Sequence, residues 1–258
     1  EKDRHVSRAK AYEALAQRYP ADDEAKIFFA LYNAGTQTQA DQSYAAYLKS
    51  AGILETQFKK YPDHPGVAHY LIHSYDAPPL ANQGLNAARR YADIAPAAPH
   101  ALHMPSHIFT RIGSWQESAA TNVRSRDVAK AGGEVDEAYH ASDYMVYAYL
   151  QLARDAAARQ AIYEALQVDP VTSRFAARYA KAAMPARYAF ERGAWPEAAK
   201  LQPLGSTYPF VDAITYFARS VGAARSGDLS SARKDAEQLE TLHNALLAAK
   251  NTYWATEV

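Results

Sequence analysis

Met104-Pro-Ser-His-Ile-Phe-Thr-Arg-Ile-Gly-Ser-Trp-Gln-Glu117 decides the fold, because Met184-Pro-Ala-Arg-Tyr-Ala-Phe-Glu-Arg-Gly-Ala-Trp-Pro-Glu197 repeats its Met, Pro, Gly, Trp and Glu in the same places. The offset in numbering between the two is 80. A looser copy, Gly227-Asp-Leu-Ser-Ser-Ala232, begins at an offset of 34 from Gly193. In each segment a glycine can end a helix by entering the left-handed region, and the bulky residue two places on can pack between paired helices. Tyr19-Pro20, Tyr61-Pro62, Ala95-Pro96 and Asp169-Pro170 end further helical runs, since a residue before proline avoids the α region. No β-branched alternation of strand length is present.

A step of 34 with helix–turn–helix patterning is the tetratricopeptide period, and 80 reads as two such units with one lengthened. The expectation is an all-α, tetratricopeptide-like α-solenoid of antiparallel helix pairs with a concave groove, one domain over residues 1–258. Helices are predicted near 3–18, 23–34, 42–60, 65–75, 83–94, 102–112, 115–131, 135–153, 156–167, 171–191, 196–201, 208–225 and 229–249, with loops at 77–80 and 132–133.

Composition narrows the functions. Lys+Arg and Asp+Glu are both 28, which gives no electrostatic case for nucleic acid or an anionic membrane. No apolar run approaches the ~18 residues of a spanning helix. With no cysteine, disulfides, iron–sulfur clusters, thiolate zinc sites and a cysteine nucleophile are excluded. The first residue is Glu1 rather than Met, which reads as a trimmed or mature form and favours a periplasmic or secreted setting. The abundant tyrosines (Tyr12, Tyr44, Tyr47, Tyr70, Tyr75, Tyr147, Tyr149) read as packing residues.

The histidines carry the chemistry. His69 and His73 are one helical turn apart, as are His103 and His107, and the second pair repeats the first at an offset of 34. His140 and Tyr144, beside Asp143, continue the series at a further offset of 37. Imidazoles at facing positions can share an ion ~2.0–2.1 Å from each nitrogen. Asp76 follows His73 by three residues, and Glu137 precedes His140 by three, the Glu-x-x-His arrangement of helical di-metal sites. Asp143 can serve as ligand or as the acceptor that orients a histidine. The proposed ligands are therefore His69, His73, His103, His107 and His140, with Glu137 or Asp143 assisting. The competing reading is a packing histidine copied along with its repeat, although buried imidazoles need hydrogen-bond partners.

A thiolate-free imidazole set suits copper, zinc, iron or nickel. The zincin motif His-Glu-x-x-His is absent, because Tyr70 follows His69. Pro105 either starts a helix near Met104 or kinks it between His103 and His107. Arg111, four residues after His107, and Arg187, at the place of His107 in the later segment, are candidate cations for an anionic substrate. With Tyr144 they form the expected catalytic set. No glycine-rich phosphate loop or Gly-x-Ser-x-Gly elbow is present.

Tyr61-Pro-Asp-His-Pro-Gly-Val-Ala-His69-Tyr-Leu-Ile-His73-Ser-Tyr-Asp76, Ala98-Pro-His100-Ala-Leu-His103-Met-Pro-Ser-His107-Ile-Phe-Thr-Arg-Ile-Gly113 and His140-Ala-Ser-Asp143-Tyr-Met-Val-Tyr147-Ala-Tyr-Leu-Gln151 together resemble a family of bacterial tetratricopeptide-repeat proteins, over roughly residues 10–200. The resemblance implies the solenoid fold, first helices that line the groove, and frequent export. It names no reaction. Two readings stay open. One is a metalloprotein with a mono- or dinuclear site, an oxidoreductase or hydrolase acting on a small, anionic substrate. The other is a metal-free scaffold holding a peptide or protein partner in the groove, and an accessory module buffering copper or zinc sits between them.

Overall fold

Side chains placed by the sequence set several helix ends. Asp22 accepts from the Ala25 amide at 3.1 Å and so caps the helix Asp23–Ala34. Asp23 and Glu24 add negative charge to its first turn, where the helix dipole favours it. His64 Nδ1 caps Pro65–Tyr75 from 3.2 Å at Val67 N, and Pro65 takes a first-turn position where its missing N–H costs nothing.

The computed structural model describes residues 2–38, 40–168 and 175–258. Asp169-Pro170 and positions 171–174 of the helix predicted at 171–191 lie outside them. Among the described residues the regular structure is helical throughout. The helices are α1 (Lys2–Arg18), α2 (Asp23–Ala34), α3 (Ala45–Lys60), α4 (Pro65–Tyr75), α5 (Leu85–Ile94), α6 (Pro99–His103), α7 (Pro105–Arg111) and α8 (Trp115–Gly132). They continue as α9 (Val135–Gln151), α10 (Asp155–Leu166), α11 (Phe175–Glu191), α12 (Trp195–Ala198), α13 (Pro209–Arg225), α14 (Leu229–Ala248) and α15 (Thr252–Glu257), with a 3₁₀ turn at Ala81–Gly84. No helix among them is long and apolar enough to cross a membrane.

The predicted 102–112 helix is in fact two, α6 and α7, each opened by a proline. Met104 between them keeps helical dihedrals (φ −51°, ψ −38°), so the break is a lost donor at Pro105 more than a change of direction. The short α15 is absent from the sequence expectation. Asn251 caps it, and it seats Trp254 flat on Phe210, with ring centroids 4.0 Å apart and planes within 10°.

One turn recurs along the chain. Gly113, Gly133, Ala153, Gly193, Gly227 and Lys250 all have positive φ. After each, the next amide bonds a carbonyl five residues back at 2.8–2.9 Å, as in Ser114 N to Phe109 O, Arg154 N to Tyr149 O and Ala194 N to Ala189 O. This is the long bond of a Schellman cap. Ala153 divides the offset of 80 from Gly113 to Gly193 into two steps of 40. The sequence pattern misses this turn because an alanine holds the place it assigns to glycine.

The chain divides into two compact units, Glu1–Arg124 and Ser125–Val258. In the first, α1 packs on α2, α2 on α3, α3 on α4, and α4 and α7 on α5. Its core includes Ile27, Leu54, Leu71, Ile72, Met104 and Ile108. In the second, α9 packs against α10 and α11, and α13 against α11, α12 and α14. There Gly222 permits a close approach, since an added Cβ would lie 2.6 Å from Ala199 N and 2.7 Å from Trp195 O.

Candidate metal centre

Helix α4 buries Val67, Ala68, Leu71 and Ile72 on one face, which leaves His69 and His73 together on the other. Their Nε2 atoms are 3.1 Å apart. Helices α6 and α7 bring three more imidazoles to this place. Pro99 opens α6, so that His100 and His103 share its short face, and α7 carries His107. His103 Nε2 and His107 Nε2 are also 3.1 Å apart, so the i,i+4 relation survives the break at Pro105.

The five rings close a circuit. Centroid distances are 5.1 Å from His100 to His69, 4.8 Å from His69 to His73 and 5.9 Å from His73 to His107. The circuit completes with 5.0 Å from His107 to His103 and 6.1 Å from His103 to His100. Donor nitrogens of His69, His73 and His100 all lie within 4.8 Å of one another, compatible with metal coordination. Tyr91 stacks on His69, centroids 5.5 Å apart and planes within 15°.

The surroundings fix two tautomers. Asn122 Nδ2 donates to Ser118 O at 2.8 Å, which leaves Asn122 Oδ1 to accept from His103 Nδ1–H at 2.7 Å. His107 Nδ1–H donates to Asp76 Oδ2 at 2.8 Å. With both Nδ1 atoms committed as donors, the Nε2 atoms are the positions left for lone pairs, and they face each other at 3.1 Å. Facing lone pairs at that distance repel unless a cation, a proton or a metal ion, lies between them. A carboxylate or amide oxygen behind the distal nitrogen is the arrangement that orients metal-ligating histidines.

Burial lowers the His69 imidazole to about 3, helped by charge on His73, His100 and His107. It lowers His73 to about 4, with charge on His107 adding to the effect and Asp76 opposing it. Both rings are therefore neutral near pH 7, the state a ligand requires. Burial alone would raise the Asp76 carboxyl. His107 and Arg111, whose Nε donates to Asp76 Oδ1 at 2.8 Å, outweigh it and hold the carboxyl below its usual range. Beside them a cleft of about 310 Å³ is lined by Gln37, Gln42, Tyr44, Tyr47, Asp76 and Arg111.

The remaining expected residues stand in the second unit. On α9, His140 packs its ring against Tyr144 at 5.4 Å, and Glu137 lies one turn earlier. Asp143 is buried and bonded to Arg187 of α11, whose guanidinium also sits 5.3 Å from the Tyr147 ring. Burial works against the Arg187 charge, but Asp143 and Tyr179 more than offset it, so the guanidinium stays cationic.

His100 and Asn122 were not among the predicted site residues. Pro99 was the available signal for His100, because a helix opened there puts His100 three residues before His103 on one face. Asn122, on a helix rich in serine and alanine, gave none.

No protein-family model matches the chain, and no curated protein matches it. Among solved structures it is similar to BtubC (BKLC) from P. vanneervenii, with 12% identity over 95% of this chain and 91% of that one, and a TM-score of 0.44. A likeness of that size leaves function to be argued from the site.

Proposed function

We propose that this chain is a metalloprotein whose imidazole cluster, His69, His73, His100, His103 and His107, holds a transition metal ion, and that it is an enzyme of hydrolase or oxidoreductase type acting on a small polar substrate. The observation that carries this is the pair of Nε2 atoms at 3.1 Å with both Nδ1 atoms committed elsewhere, to Asp76 and Asn122. Neutral imidazoles without thiolate suit zinc, copper or iron. The ion would polarise an oxygen or activate water. Asp76 joins His107 to the cleft that Tyr47 and Arg111 line, and this favours the cleft as the substrate's approach. Four of the Schellman turns, at Gly113, Ala153, Gly193 and Gly227, stand 40, 40 and 34 apart in the numbering and support a tetratricopeptide-like solenoid as the scaffold.

The test is elemental analysis of untagged protein, with a thermal shift on adding Zn(II) or Cu(II). Stoichiometric metal that disappears in a His103→Ala/His107→Ala variant is the expected result. Protein that binds neither ion and shows no thermal shift would refute the reading and leave a metal-free scaffold.

A further inference from the structure

The geometry points to two adjacent ion sites within the circuit of five imidazoles, one held by His69, His73 and His100 and the other by His103 and His107. This rests on the metalloprotein reading above and adds the number of ions and the ligands of each.

Donor spacing carries the argument. Two ligands ~2.0–2.1 Å from a tetrahedral ion are about 3.3 Å apart, and no two ligands of one ion exceed about 4.2 Å. His69 Nε2 to His73 Nε2 and His103 Nε2 to His107 Nε2, each 3.1 Å, both have the length of a tetrahedral edge. His100 completes the first set, since its donor lies within 4.8 Å of both His69 and His73, a gap that small side-chain rotations close. His103 and His107 fall outside that set of mutually close donors. A tetrahedral ion has only four positions to fill, so one such ion cannot hold all five imidazoles.

The two sites differ in what backs them. The first has three imidazoles, with the Tyr91 ring stacked on His69. The second is backed by Asp76 and Asn122 and stands beside the cleft. Its place beside the cleft is what would give an ion there access to a substrate.

The experiment titrates the metal-free full chain with Zn(II) by calorimetry and counts the retained metal by elemental analysis. Two equivalents are expected. His100→Ala should remove the one held at the first site and His107→Ala the one held at the second, each leaving a single equivalent, and the double variant should keep none. Asp76→Asn leaves all five imidazoles in place and should weaken only the second equivalent, by about 10–100-fold. This variant keeps the test decisive if an alanine variant fails to fold, as judged by circular dichroism. A single equivalent in the parent, or loss of both equivalents in either alanine variant, overturns the two-site assignment while leaving a metalloprotein. No Zn(II) or Cu(II) uptake overturns both.

Discussion

In both Met-Pro segments the methionine is fully buried, and the side chain three residues on meets a carboxylate. His107 bonds Asp76, and Arg187 bonds Asp143. The helix differs between them. Before Pro105, α6 is only five residues long and ends at His103, whereas α11 runs ten described residues before Pro185 and continues through it. The partner differs more. An imidazole whose Nδ1–H is spent on Asp76 still has a lone pair on Nε2. A guanidinium has five donors and no lone pair, so Arg187 can pair with an acid but cannot ligate. The two segments thus share a packing device, and only the first carries a side chain able to ligate.

Breaking the second segment should cost the most stability. Arg187→Met strands Asp143 in the interior, with an expected loss of about 3–5 kcal/mol at pH 7. Burial raises the Asp143 carboxyl, and Arg187 only partly opposes it. An acid with a raised folded pKa is at its best below its unfolded value and loses stability as pH rises. The deficit should therefore shrink toward pH 4, and a urea midpoint series on both proteins checks it. Converting the first segment into the second, by His107→Arg, keeps a partner for Asp76 but removes the lone pair. Affinity for Zn(II) at the pair should fall more than about a hundredfold, and retention within tenfold would show that His107 is no ligand.

Acid separates the segments further. His69 and His73 are lowered to about 3 and about 4, so the metal-free protein binds fewer protons than its unfolded chain between pH 6.5 and those values. Its stability is full above pH 6.5 and declines as pH falls through 4 toward 3, by up to about 1.4 kcal/mol per pH unit for each imidazole. A His69→Gln/His73→Gln variant should lose most of that slope in urea titrations. The smallest effect concerns the turn midway between the segments. Ala153 has φ +54°, and Ala153→Gly should raise stability by roughly 0.5 kcal/mol, the relief of left-handed strain less the entropy of glycine. A lower urea midpoint would count against strain at that turn.

Much of this was legible because the signals are local. Tyr19-Pro20 and Tyr61-Pro62 marked the ends of α1 and α3, and i,i+4 spacing singled out His69 with His73 and His103 with His107. Placing the helix start at 102 left His100 in a loop, although Pro99 opens α6. The turn at Ala153 escaped the sequence pattern, because backbone geometry recurs there without its usual residue. Asp143 and Arg187 both stood out in the sequence, but for metal and substrate. Their contact joins residues 44 apart and leaves no trace in spacing. Asn122 likewise acts on His103 from 19 residues away.

Asp76 has two oxygens and two clients. One oxygen holds His107, the other holds Arg111 at the edge of the cleft. Whatever draws Arg111 away from that carboxylate returns electron density to the imidazole, and whatever anchors Arg111 withdraws it. A single residue therefore couples the occupancy of the cleft to the donor strength of a ring within the cluster, and the coupling runs equally in both directions.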